Sequence, residues 1–206
     1  MRPTKANRAA GFTLNELMLV LAIAGVIFGL AIPNMRDFMW NSRMTSSAND
    51  LLTAVYRARS EAVKRHGQTI LCFTSDSEAA TPACDGDGTQ GWVVFADTDG
   101  DGAVAADEEV VLRHGPLPNT ISVFSKPNGN AGYVAFNNAG FARNIAIGTA
   151  LAGVVMCDSR GNTPINGPAF SAARGVIISP TGRPQVTRVV NTIKTNTSLG
   201  SCPGDP

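Results

Sequence analysis

Between Leu17 and Ile32 the chain carries sixteen residues with no charge and no strongly polar side chain, and one carboxylate, Glu16, stands at the head of that run. A short basic leader (Arg2, Lys5, Arg8) precedes it and stops at Gly11. From Phe12 to Ile32 there are 21 residues, about 31 Å as an α-helix, which matches the hydrocarbon thickness of a bilayer. An ionised glutamate inside such a segment costs roughly 2.5–3.5 kcal/mol near the bilayer centre, so its position demands a partner.

Two plain readings compete here. Ala22-Ile23-Ala24 is a passable signal-peptidase site after a basic start, but the apolar run continues eight residues beyond it and a glutamate is unwelcome in such a segment. A single-pass anchor fits better, with the leader's charges cytoplasmic and the remainder outside. A chain beginning near Gly25 would mark an ordinary secreted β-domain; one beginning at Phe12 would not.

Gly11, Phe12, Glu16 and Pro33 give this segment a resemblance to the type IV prepilins. In that family a prepilin peptidase cuts after the leader's glycine. The new first residue, usually phenylalanine, is N-methylated, the fifth is glutamate and a proline often stands at the twenty-second. Counted from Phe12, Glu16 is the fifth residue and Pro33 the twenty-second. The resemblance implies cleavage between Gly11 and Phe12, a wait in the inner membrane, and pairing of Glu16 with a neighbouring subunit's amino terminus.

Removing the leader leaves 14 bases against 16 acids, but the distribution says more than the sum. From Asp76 to Glu109 there are ten acidic side chains and no basic one. From Lys126 to Gly200 there are seven bases (Lys126, Arg143, Arg160, Arg174, Arg183, Arg188, Lys194) against Asp158 alone. The domain is therefore expected to be two-faced in charge. Four cysteines in an exported chain suggest two disulfides, for which three pairings are open. The favoured set is Cys72–Cys84, closing a Ser/Thr/Asp-rich loop, and Cys157–Cys202, pinning the C-terminal tail. No Cys/His cluster has zinc-ligand spacing.

Beyond Pro33, where a kink or a locally melted ladder is expected, Ala48, Leu51, Leu52, Val55, Ala58 and Ala62 recur at helical spacing. Arg57, Arg59, Glu61, Lys64 and Arg65 fall on the face expected to be solvated, and Gly67 is the expected stop. After it come short β-runs near 69–73, 91–96, 110–113, 121–124, 133–136, 153–157, 175–178 and 185–190, with 158–173 read as a loop and a loose end beyond Thr195. The expected fold is α+β: a long N-terminal helix, its first half membrane-embedded, packed on a C-terminal antiparallel β-domain. Four parts follow: a leader (1–11), a transmembrane or filament-core helix (12–33), its amphipathic second half (34–67) and a disulfide-stapled β-domain (68–206).

Further residues narrow the resemblance to the FimT/GspH (FimU-like) group of minor pilins and pseudopilins. They are Arg57-Ala-Arg-Ser-Glu-Ala-Val-Lys-Arg65, Gly91-Trp92-Val93-Val94-Phe95, Phe136-Asn137-Asn138-Ala139-Gly140, Cys157-Asp158-Ser159-Arg160-Gly161 and Ser179-Pro180-Thr181-Gly182-Arg183. The resemblance implies a part in the tip complex that primes a filament, with other minor and major pilins or pseudopilins as partners. The Cys-bearing first loop and the late Gly-Arg look more like the type IV pilus branch, the type II secretion branch being the alternative. Some FimT-like pilins also bind DNA in natural transformation through Gly-Arg-x-Arg. Here Gly182-Arg183-Pro184-Gln185 keeps only the first arginine. Arg174, Arg188 and Lys194 would complete with Arg183 a basic strip that holds phosphates of double-stranded DNA without reading bases. The competing reading is a turn with a solvated arginine.

Asp97-Thr98-Asp99-Gly100-Asp101-Gly102, with Glu108 at the twelfth position, fits the EF-hand calcium loop. Asp97, Asp99, Asp101 and Glu108 would supply carboxylates and Ala103 a backbone carbonyl. Flanking strands rather than helices make an Asp/Gly-rich hairpin turn the competing reading. No other cofactor is expected. No G-x-S-x-G, P-loop or H-E-x-x-H occurs, and neighbours Glu108 and Glu109 would point to opposite faces of a strand, so catalysis is not expected. The expected location is the bacterial inner membrane with the β-domain periplasmic, then the tip of a pilus or pseudopilus.

Overall fold

A computed structural model describes residues 11–126, 132–145, 149–165 and 167–203, with the backbone alone at Leu30, Pro33, Asn34 and Thr149. The leader's basic residues lie outside the described residues. The first helix, α1 (Leu14–Arg65), is 52 residues long and runs through Pro33 without ending there. It starts where it does because Thr13 caps it. The backbone N–H of Glu16 donates to Thr13 Oγ1 at 3.3 Å, and the two residues stand at the capping-box spacing. At the far end Gly67 N–H reaches the Ala62 carbonyl at 3.2 Å and His66 N–H the Val63 carbonyl at 3.3 Å, a Schellman stop. The left-handed residue of that stop is His66, at φ 55°, rather than the expected Gly67.

Contacts divide the chain into two units, residues up to Trp40 and residues from Asn41 onward. In the first, the apolar side chains of Phe12, Leu17, Val20, Ile27 and Phe28 all stand exposed. Among the described residues no helical stretch is long and apolar enough to cross a membrane; Leu30, inside the apolar run, is one of the backbone-only positions. In the second unit, two antiparallel sheets form behind the helix. The first holds β1 (Gln68–Phe73), β2 (Trp92–Asp97), β3 (Val110–His114), β5 (Gly132–Phe136) and β6 (Ala142–Arg143) in the order β3-β2-β1-β5-β6, with β7 (Thr149–Ala150) parallel to β5. The second holds β4 (Ser122–Ser125), β8 (Gly153–Cys157), β9 (Phe170–Ile178) and β10 (Pro184–Val189) in the order β10-β9-β8-β4. A short helix, α2 (Val190–Thr195), follows.

Period-two alternation decides what each strand faces. Leu71, Phe73, Trp92, Val94, Val134 and Phe136 from the first sheet, and Val154, Met156, Val176 and Ile178 from the second, meet Met44, Ala48, Leu51, Ala54, Val55, Ala58 and Ala62 of α1 in one core. The alternate residues Ile70, Cys72, Val93, Phe95, Tyr133 and Ala135 form a second core on the outer face of the first sheet, under Cys84 and Val104. Val155, Cys157 and Ala173 form a third on the outer face of the second sheet, under Ile193, Leu199 and Cys202. Both disulfides belong to these outer layers. Cys72–Cys84 and Cys157–Cys202, at Cα–Cα distances of 5.4 and 5.8 Å, each tie a strand to the segment covering it.

Three expectations need correction. The segment 158–173 is not all loop, because β9 begins at Phe170, which pairs with Val189, and Ser171 bridges to Pro164. Its small residues hid the strand. Val190 opens α2 instead of ending β10. The end beyond Thr195 is not loose through residue 203, since Leu199 and Cys202 are buried. A Cβ at either Gly153 or Gly175 would come within 2.9 Å of the Leu199 side chain, so those strand glycines make room for it.

The two disulfides close 12- and 45-residue separations. Chain entropy gives about 3 kcal/mol for the shorter and about 4 kcal/mol for the longer. Replacing each pair by serines and following urea unfolding should show the larger loss for the Cys157–Cys202 pair.

Candidate functional site

The residues expected to serve processing, and the Glu16 expected to serve assembly, lie at the start of α1. Gly11 and Phe12 precede the helix and are exposed, Phe12 at 83%. Glu16 occupies the first helical turn, where a carboxylate is favoured by the helix dipole. Its backbone N–H is engaged by Thr13, but no described side chain pairs with its carboxylate. Gly25 and Gly29 have nothing within 4 Å of where a Cβ would stand, so the helix presents bare backbone there. Pro33 lies within α1.

At the other end of α1 the expected solvated face contains an exception. Glu61 is 2% exposed, covered by the cations that hold it. Arg65 Nε donates to its Oε2 at 2.9 Å, Arg57 Nη2 lies 3.3 Å from Oε1 and Lys64 Nζ 3.7 Å from the same oxygen. Arg65 also donates from Nη1 to Glu109 Oε2 at 2.9 Å, tying the end of α1 to the residue before β3. The hydrogen bond from Arg65 holds the Glu61 carboxyl below the usual carboxylate range, against the burial that raises it and with help from Lys64 and Arg57. Glu109 is lowered mainly by Arg65 as well. Sequence periodicity placed Glu61 in solvent because cations three and four positions away on either side of it look like a polar face.

The motifs behind the narrower resemblance prove to be seams. Arg59 Nε donates to the Gly140 carbonyl at 2.9 Å, fixing the 136–140 turn on α1. Gly182, at φ +74°, sits so close that a Cβ would fall 2.4 Å from the Gly140 oxygen. The 179–183 segment is the turn between β9 and β10, closed by Gly182 N–H to the Ser179 carbonyl at 2.8 Å and Arg183 N–H to Ser179 Oγ at 3.1 Å. Arg183 itself is exposed. In the 157–161 turn Arg160 pairs with Asp158 at 2.6 Å and donates to Asn41 Oδ1 on α1 at 3.1 Å.

The expected basic strip is broken. Arg188 and Lys194 are exposed like Arg183, whereas Arg174 is 3% exposed. Arg174 Nη1 donates to the carbonyls of Ser171 (2.9 Å), Ala172 and Ala173 (both 3.0 Å), and Nη2 to Thr45 Oγ1 at 3.3 Å. It belongs to the interior and is removed from the surface set.

The Asp/Gly loop is likewise not a helix-flanked site. It joins β2 to the turn before β3. Oxygens of Asp97, Asp99 and Glu108 lie within 4.8 Å of one another, and Asp101 is outside that group. Asp97 Oδ1 accepts Gly100 N–H at 2.8 Å and its Oδ2 accepts a bond from Gln68. Glu108 Oε1 accepts Thr98 N–H at 2.6 Å, its Oε2 Ala105 N–H at 3.2 Å, and Asp101 accepts Ala103 N–H at 2.7 Å. Burial pushes the Asp97 carboxyl up despite those bonds. The carboxylates thus order the turn's own backbone, and the calcium expectation finds no support in this arrangement.

Compared with known proteins, the chain matches the family described as type II transport protein GspH over residues 47–182. It is 45% identical over 60 residues to the type IV major pilin protein PilA of Myxococcus xanthus, covering 29% of this chain and 27% of that protein. It is 33% identical over 105 residues to the pilin-like protein PilA1 of Thermus thermophilus, covering 50% of this chain and 58% of that one. These matches therefore span 27% and 58% of the lengths of those relatives. Among solved structures it is similar to the type IV minor pilin FimU of Pseudomonas aeruginosa, with a TM-score of 0.49 and 18% identity over 73% of this chain and 92% of that one. The minor pseudopilin EpsH from the type 2 secretion system of Vibrio cholerae gives a TM-score of 0.46 and 9% identity over 71% and 97%.

The Glu61 cluster can be tested directly. Glu61→Gln removes the carboxylate shared by Arg57, Lys64 and Arg65, of which Arg65 keeps Glu109, and should cost about 1 kcal/mol in urea unfolding at pH 7, the upper end for an ion pair near the surface. Because Glu61 and Glu109 titrate below their ordinary values, their contribution is full above about pH 4.5 and is lost as the pH falls further. The Gln variant should lose less stability than the parent between about pH 4.5 and pH 2.

Proposed function

The chain belongs to the GspH family of minor pilins and pseudopilins, structural subunits and not enzymes, and we propose from this that it is a minor pilin of a type IV pilus, acting in the tip complex that primes assembly. The observation that carries the assembly mechanism is Glu16: a carboxylate at the head of an exposed apolar helix, with no described side chain paired to it. In this reading prepilin peptidase cuts between Gly11 and Phe12, and the Phe12 amine is methylated. With one charge in 21 residues, Phe12–Ile32 rests in the inner membrane with the β-domain in the periplasm. On assembly the Phe12 amine of an adjoining subunit pairs with Glu16, neutralising a charge that would otherwise be stranded in an apolar bundle. Bare backbone at Gly25 and Gly29, beside Ala22 and Ala24, lets neighbouring helices approach where lipid stood before.

A second reading is a minor pseudopilin of type II secretion, favoured by the family's own description as a type II transport protein. The assembly steps are the same and the filament differs. Members of the family generally work without a cofactor, and none is proposed here. No DNA receptor is proposed either, because the burial of Arg174 takes one of four cations out of the strip.

Deleting the gene and scoring surface pili beside enzymes released to the medium separates the two readings. Lost pili with normal secretion is the expected outcome; normal pili with trapped enzymes would assign the chain to secretion. Glu16→Ala should be processed yet absent from the filament, and its normal incorporation would contradict the pairing. Gly11→Glu should keep its leader, which N-terminal mass spectrometry would read.

A further inference from the structure

The two edges of the first sheet carry opposite charge. At the β3 edge, Asp99, Asp101, Asp107 and Glu109 stand exposed in the turn that leads from β2 into β3. At the β6 edge Arg143 stands exposed, and the neighbouring β9–β10 turn exposes Arg183. Ala142 N–H donates to the Pro180 carbonyl at 3.2 Å, which joins these two segments into one surface. Among the described residues no cation pairs with Asp99, Asp101 or Asp107, and no carboxylate pairs with Arg143 or Arg183. The cations beside the acidic edge are already engaged, Arg65 by Glu61 and Glu109, and Arg113 by the carbonyls of Ser77 and Ala79.

Between the edges α1 turns a different flank to each. Asp50 and Arg65 reach the β3 side, at His114 and Glu109. Tyr56, Arg59 and Val63 share the opposite flank by their spacing. Tyr56 Oη donates to the Pro184 carbonyl at 3.4 Å, Arg59 to the Gly140 carbonyl, and a Cβ at Gly140 would lie 3.0 Å from Val63. Tyr56, Val63 and Phe141, three of the large apolar side chains the domain leaves exposed, therefore stand together beside Arg143 and Arg183. Across the sheet, Val110, Val111 and Leu112 are half-buried on β3, with no further described strand paired beyond them.

We propose that the flank bearing Tyr56, Phe141, Arg143 and Arg183 binds the β3 edge of a second copy of this chain, head to tail. The arginines face the acids between Asp99 and Glu109, and the apolar side chains cover Val110–Leu112. Opposite charge supplies orientation and register, and the apolar patch supplies burial. Because the two surfaces differ and lie at opposite edges of one sheet, each bound copy keeps one of them free. Such a contact repeats along a row of subunits instead of closing as a two-fold pair. It stands on the domain from Asn41 onward alone, so its failure would leave the pairing at Glu16 untouched.

Sedimentation of the full chain in neutral detergent tests the contact. The parent should associate as its concentration rises, and less so as salt is added. Arg183→Glu and Asp107→Lys, both at exposed positions, should keep the parent's melting temperature. Each should weaken association about tenfold by setting like charges against each other. Mixed together, the two variants should associate again and stop at pairs, because each retains the surface that the other lacks. Lys194→Glu, on α2 over the outer face of the second sheet, should behave as the parent does. A parent that stays monomeric, or association equal in every variant, would overturn the proposal. So would loss in Arg183→Glu with none in Asp107→Lys, or a mixture that fails to pair, since either leaves the acidic edge without a part.

Discussion

The domain depends on one close contact, the face of α1 between Met44 and Ala62 laid against both sheets at once. Alanine at 48, 54, 58 and 62 keeps that face low, so that bulky residues from the sheets, among them Phe73, Trp92, Phe136 and Met156, fill the space. Larger side chains on the helix would push the sheets away and open cavities between them. The polar ties at the margins, Arg59 to Gly140, Arg160 to Asn41 and Arg65 to Glu109, fix where along the sheets that face rests. Burial provides the attraction, and directional bonds set the register.

A sheet buried on one face by a helix still has another face to cover, and here each sheet has its own cover and its own disulfide. The segment after β1 shields the first sheet and is tied back through Cys72–Cys84. The C-terminal segment shields the second and is tied back through Cys157–Cys202. This explains why β1, β2, β5 and β8 are buried along nearly their whole length, in contrast to the half-solvated strands common in antiparallel sheets.

The helix and the β-runs were legible because each is a local pattern: a three-to-four spacing, short strands between turn residues. What stayed hidden depends on neighbours remote in sequence. Glu61 looked solvated, and its covering by Arg57, Lys64 and Arg65 depends on rotamers that spacing does not specify. Arg174 looked like part of a surface strip, but Ser171, Ala172 and Ala173 turn their carbonyls toward it in a strand whose small residues disguised it as loop. Leu199 looked like part of a frayed tail, while the glycines that receive it lie 24 and 46 residues earlier.

The acidic block shows how composition can suggest more function than it carries. Of its ten acidic residues, Asp76, Asp85, Asp87, Asp97, Asp99, Asp101 and Glu108 each accept a backbone N–H near their own turn. Aspartate recurs there because its short carboxylate satisfies the donors of a chain that is neither helix nor strand. Glu109 serves Arg65. The EF-hand spelling follows from the same need, since alternating Asp and Gly also builds a tight hairpin connection. The basic half differs in kind. Its arginines at 160 and 174 point into contacts with α1, whereas Arg143, Arg183, Arg188 and Lys194 stand exposed. Negative charge in this domain is largely spent on local turns, while the arginines at 160 and 174 tie the second sheet to α1.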